Sequence, residues 1–150
     1  MHIAQCLAGM SFSNALLGIT HSLAHKIGAQ FNLPHGLCNA ILLSYVIKYN
    51  STVSMKDFAV IAKRVGLPGA TDKQLTDALI EAVEKLNAKV GIAATLRENG
   101  VTDELFNAHI DFIVEQAQLD PCTGANPRPT TPAELKKILI CALNGTPVNF

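Results

Sequence analysis

Three of this chain's five histidines fall within fifteen residues of one another, on an otherwise apolar background. His21 and His25 lie in the run Gly18-Ile19-Thr20-His21-Ser22-Leu23-Ala24-His25-Lys26-Ile27-Gly28, and His35 lies in Asn32-Leu33-Pro34-His35-Gly36. Residues four apart share a helix face, so the rings of His21 and His25 can reach a common point. Gly28 is expected to end that helix and Pro34 to open the next, which brings His35 within one turn of the pair. Neutral imidazole is the commonest side-chain ligand for a divalent transition metal, so three of them on two helices predict part of a coordination sphere. Completing it takes carboxylate or thiolate donors. The carboxylates begin at Asp57 and fall mainly in amphipathic segments, and Cys38, inside the apolar run 37–46, reads as a small core hydrophobe. His109 reads as an exposed helix residue. The competing account of the cluster is that these are core histidines with satisfied hydrogen bonds.

The positioning elements read as helical from end to end, with no run of period-two alternation. Residues 2–10 look like a helix already under way, with no capping residue before His2. A first complete helix is expected over 14–27, capped by Ser13 or Asn14. A helix apolar nearly all round follows over 34–49, then another from Ser54 to Val65, ended by Gly66-Leu67-Pro68-Gly69. Thr71 caps a long amphipathic helix to about Val90, residues 96–99 suggest a short helical piece, and Thr102 caps a helix to Gln118. The stretch from Asp120 to Pro129 is too rich in Pro, Gly and Asn to be helical and reads as a structured loop. Thr131-Pro132-Ala133-Glu134 then opens a last helix to about Leu143. The expectation is an all-α bundle of about seven helices in one domain.

Composition narrows the partners. Lys plus Arg equals Asp plus Glu at 12 each, so no basic excess argues for nucleic acid. Apolar residues make up 49% of the chain and charged residues only 16%, which suggests that part of the surface is meant to be covered. No apolar stretch approaches the ~20 residues of a membrane span. The four cysteines show no CxxC pairing, so reduced thiols in a cytoplasmic protein are expected.

Two separated stretches resemble a known family. Ala8-Gly9-Met10-Ser11-Phe12-Ser13-Asn14-Ala15, Gly18 through His21, His25 and Asn32-Leu33-Pro34-His35-Gly36 resemble the signature of the iron-containing alcohol dehydrogenases, the group that includes lactaldehyde reductase and 1,3-propanediol dehydrogenase. Cys122-Thr123-Gly124-Ala125-Asn126-Pro127-Arg128 is similar to a second landmark of that family. The resemblance implies the C-terminal helical domain of the dehydroquinate synthase-like/iron alcohol dehydrogenase fold over residues 1–150, without the N-terminal α/β domain that holds the dinucleotide.

By the same resemblance, four side chains hold the metal: an Asp and a His from the upstream part, then His21 and His35. His25 is then not a ligand but lies beside the nicotinamide and substrate, whereas spacing alone would have paired it with His21. Phe12 and Cys122 would line the substrate channel. The implied chemistry is hydride exchange between a primary alcohol or aldehyde and NAD(P), with Fe2+ or Zn2+ lowering the pKa of the alcohol oxygen. No GxGxxG or GGGS-like turn occurs, so the chain by itself is expected to be inactive. A helix begun without a cap and a low charge content fit a lost neighbour, and the exposed apolar area should drive homo-oligomerisation. The alternative is a stand-alone helical metal-binding or interaction module without redox activity.

Overall fold

The computed structural model describes residues 1–150 and contains α-helices, one 3₁₀ turn and no strand. The helices are α1 (His2–Ala15), α2 (Ile19–Phe31), α3 (His35–Arg64), α4 (Asp72–Lys89), α5 (Asp103–Gln118) and α6 (Pro132–Asn144), with the 3₁₀ turn at Thr123–Ala125. The count is six, not about seven. Residues 96–99 form successive turns, with Asn99 N–H on Leu96 C=O and Gly100 N–H on Arg97 C=O, and the two segments expected over 34–65 are one helix.

That long helix is bent where the sequence suggested a break. Ser54 leaves helical geometry at φ −117°, ψ 25°. Just before it, the Ser51 and Thr52 hydroxyls bond back to the carbonyls of Lys48 and Tyr49, a competition that loosens a helix ladder. Beyond the bend, Thr76 of α4 donates its hydroxyl to the Met55 carbonyl.

The corner between α2 and α3 corrects the expected stop. Gly28 lies inside α2, and the terminator is Asn32, left-handed at φ 52°, ψ 42°, with its N–H on Gly28 C=O. Gly28 serves instead as a close-approach residue. A Cβ there would come within 3.1 Å of the Leu33 carbonyl oxygen and 3.5 Å of Cys38 Sγ. Nor do Ser13 and Asn14 open α2. Their side chains bond back to Gly9 and Met10 carbonyls, so α1 continues to Ala15. Thr71, Thr102 and Thr131 do cap their helices, each accepting the backbone N–H three residues on.

A main core of 24 buried residues joins α2, α3, α5 and α6, among them Ile19, Leu23, Leu42, Ile113 and Leu139. Cys38 is part of it, fully buried, as its apolar setting implied. A satellite cluster, Ala59, Ala62, Leu75 and Leu79, packs α4 on the far half of α3. Helix α1 buries nothing and meets α2 at a bend of 110°. No single helix is long and apolar enough to cross a membrane, although α1 and α2 together reach that composition.

Deep in the bundle, Asn126 and Asn50 exchange amide hydrogen bonds of 3.0 and 2.8 Å, and Asn126 Oδ1 also accepts the Ile19 N–H at 3.4 Å. Asn126→Ala strands the Asn50 amide and should lower unfolding free energy by about 1–3 kcal/mol. Leu7→Ala, on a side chain 61% exposed, should change it by less than about 0.5 kcal/mol. Urea unfolding midpoints check both, and equal shifts would contradict this packing.

Candidate metal centre

The left-handed Asn32 cap ends α2 only three residues before α3 begins, and the two helices pack against each other. His21 and His25 project from one face of α2, and His35 opens α3 directly after Pro34. The ring centroids of His21 and His35 lie 5.4 Å apart, those of His25 and His35 5.3 Å, and those of His21 and His25 6.0 Å. All three rings therefore share one site. His25 and His35 are stacked, with 18° between their planes.

Their environments differ. Burial, then the proximity of His35 and His25, holds His21 below the ordinary imidazole range despite the opposing pull of Asp120, which favours the neutral form that can ligate a metal. His35 Nε2 lies 2.9 Å from the Asn39 side-chain amide nitrogen. The Asn39 side-chain oxygen is buried without a partner. His25 is the most constrained: its Nδ1 lies 3.1 Å from Asp120 Oδ2.

Asp120 is the residue of this cluster that sequence reasoning missed. It belongs to the Pro- and Gly-rich loop, and its side chain is only 8% exposed, unlike the solvated carboxylates expected along the chain. Lys26 Nζ lies 3.1 Å from Oδ2, and the Cys122 N–H bonds to Oδ1 at 3.0 Å. Burial alone would raise its pKa, but these three donors outweigh it and hold the carboxyl well below the usual range. The only hint in the sequence was the density of turn-forming residues after Leu119, which implied a structured loop.

Phe12 and Cys122 come together across sequence as well. Both line a cleft of about 320 Å³ with Ser13, Leu16, Leu17 and Pro121, and the Phe12 ring lies 6.3 Å from that of His21. Burial and the Asp120 carboxylate push the Cys122 thiol up, so it stays protonated. Ligand atoms of His25, Asp120 and Cys122 also lie within 4.8 Å of one another, a second possible donor set. His109 stands apart, half-buried with its ring edge-on to Phe31 at 6.4 Å.

Comparison with known proteins follows this geometry. Residues 1–143 match the C-terminal part of the Fe-containing alcohol dehydrogenase family. The chain is 53% identical over its whole length to an NADPH-dependent butanol dehydrogenase of Clostridium saccharobutylicum, of which it covers 39%. It is 41% identical over 87% of its length to lactaldehyde reductase of Escherichia coli, covering 34% of that protein. The crystal structure of an iron-containing alcohol dehydrogenase from Thermococcus thioreducens superposes on 96% of the chain with a TM-score of 0.85 and 33% identity, and the chain covers 36% of it. The chain thus spans less than two-fifths of the length of these relatives. With both landmarks, the all-helical architecture and the family match in agreement, the chain belongs to the Fe-containing alcohol dehydrogenase family, whose C-terminal domain it matches.

Proposed function

We propose that this chain supplies the helical, metal-binding half of an NAD(P)-linked alcohol dehydrogenase that interconverts primary alcohols and aldehydes. His21 and His35 are two of the metal ligands, His25 lies beside nicotinamide and substrate, and Phe12 and Cys122 border the substrate. The observation that carries the reading is the 5.4 Å separation of the His21 and His35 rings, brought together from two helices. Two imidazole nitrogens bound to one ion at about 2.1 Å and a roughly tetrahedral angle place their ring centroids about 5 Å apart. The depressed pKa of His21 keeps that imidazole in the neutral form that can ligate a metal. Two nitrogens fill half of a four-ligand site, and the reading assigns the remaining donors to polypeptide outside residues 1–150.

A divalent iron or zinc ion held there would polarise the alcohol or aldehyde oxygen, and NAD(P) would exchange hydride with the adjacent carbon. The chain's own residues shape what surrounds that event. Phe12, Leu16, Leu17 and Pro121 give the cleft apolar walls suited to a short aliphatic substrate. His25, bonded through Nδ1, has its Nε2 free to pass a proton. The competing set of His25, Asp120 and Cys122 is disfavoured as a cation site, because the Lys26 ammonium already sits on Asp120 and the thiol retains its proton. The exposed side chains of Ile3, Leu7, Met10 and Leu16 fit an apolar face covered by the rest of the enzyme or by a second copy of the chain.

Two ligands hold a divalent ion weakly, so the 150-residue chain should release Zn2+ during gel filtration and show no NAD(P)-linked oxidation of short alcohols. Metal retained through the column would favour the stand-alone binding module, and turnover by the pure chain would refute its role as a half. In an enzyme that joins this chain to a dinucleotide-binding part, His21→Ala and His35→Ala should each abolish metal content and activity. His25→Ala should keep the metal and lower kcat by about 10²–10⁴-fold, the usual contribution of positioned proton transfer. Metal analysis beside kinetics separates these outcomes, and full metal content in His21→Ala or His35→Ala would remove that residue from the ligand set.

A further inference from the structure

Asp120 is the only carboxylate hydrogen-bonded to any of the three clustered histidines, and it is fixed from several directions. Its own N–H reaches the Ala117 carbonyl at 3.2 Å, its carbonyl accepts the Thr123 N–H at 2.9 Å, and Oδ1 takes the Cys122 N–H at 3.0 Å. Those bonds leave Oδ2 facing α2, where it meets His25 Nδ1 and Lys26 Nζ, each at 3.1 Å. An ionised carboxylate can only accept hydrogen bonds, so the proton of this contact belongs to His25 Nδ1. In a neutral imidazole the other nitrogen is then the acceptor. The His25 ring is also stacked on His35, which fixes its plane independently of the Asp120 bond.

We infer that Asp120 is a positioning residue that locks His25 in the Nδ1–H tautomer and presents its Nε2 lone pair at the histidine cluster. A free histidine favours the opposite tautomer, with the proton on Nε2. The bond to Asp120 reverses that preference, as an orienting carboxylate does wherever an imidazole must accept a proton through one defined nitrogen. Lys26 neutralises the carboxylate without touching the ring. This deepens the functional reading above and rests on it only for the use to which Nε2 is put. The tautomer itself is a property of the 150-residue chain.

The test is ¹⁵N-resolved NMR of the imidazoles in the isotopically labelled chain, at a pH where the rings are neutral. His25 should show the Nδ1–H pattern. Asp120→Ala should return it to a mixture dominated by Nε2–H, with the His21 and His35 signals little changed, while Lys26→Ala should leave the Nδ1–H form in place. An Nε2–H pattern in the unmodified chain overturns the inference even if the Asp120 variant fails to fold. So does an unchanged His25 tautomer in Asp120→Ala when circular dichroism reports a native helix content. In the joined enzyme, Asp120→Ala should lower kcat at least about tenfold with metal content intact, and should add little once His25 is alanine, because the two residues act as a unit. Loss of metal in Asp120→Ala would overturn the positioning role by making Asp120 a ligand. Failure of His21 and His35 to bind metal would leave the tautomer result standing, so the two readings fail separately.

Discussion

The loop after α5 is laid along α2 in register, and the arrangement of the site depends on that register. Asp120 bonds to His25 and Lys26, Thr123 shares a hydrogen bond of 2.7 Å with Ser22, and Asn126 receives the Ile19 N–H. The loop advances three residues between contacts while the helix retreats by three or four, so each contact falls on the next turn of the same helix face. At Asn126 the fit is tight, since a Cβ on Gly18 would come within 2.9 Å of the Asn126 side-chain oxygen. The loop is in turn anchored by Arg128, whose guanidinium lies 3.8 Å over the Tyr49 ring and bonds to the carbonyls of Tyr49 and Phe150 and to Glu134. Three helices and the chain end therefore cooperate in placing one carboxylate against one imidazole.

Much of this organisation is written locally in the sequence. Thr71, Thr102 and Thr131 announce their helices because a cap is an interaction across three residues, and three residues can be read together. The two helices expected over 34–65 are one bent helix because the back-bonds of Ser51 and Thr52 loosen the ladder without ending it. Gly28 misleads because glycine can either end a helix or permit a close approach, and only the packed Leu33 and Cys38 decide between them. Ser13 and Asn14 mislead in the same way, since their side chains serve equally as caps or as back-bonds inside a helix. The contact between His25 and Asp120 spans 95 residues and has no local spacing to betray it. The histidine cluster itself, held on two adjacent helices, was visible at once.

Electrostatics gives the cluster its character. Three imidazoles lie within about 6 Å of one another, and His21 is held below the ordinary range first by burial and then by the proximity of His35 and His25. One carboxylate is present, and it is already matched by Lys26. Three imidazoles thus share one site beside an apolar cleft.

Helix α4 bridges the bend at Ser54. On one side lies the 24-residue core under the histidines; on the other, four buried residues and Thr76 tie α4 to the tail of α3. Helix α4 also reaches the core half of α3, since Asn87 donates to the Ala40 carbonyl at 2.8 Å and Asp77 pairs with Lys48, so the distal hairpin is braced on both sides of the bend.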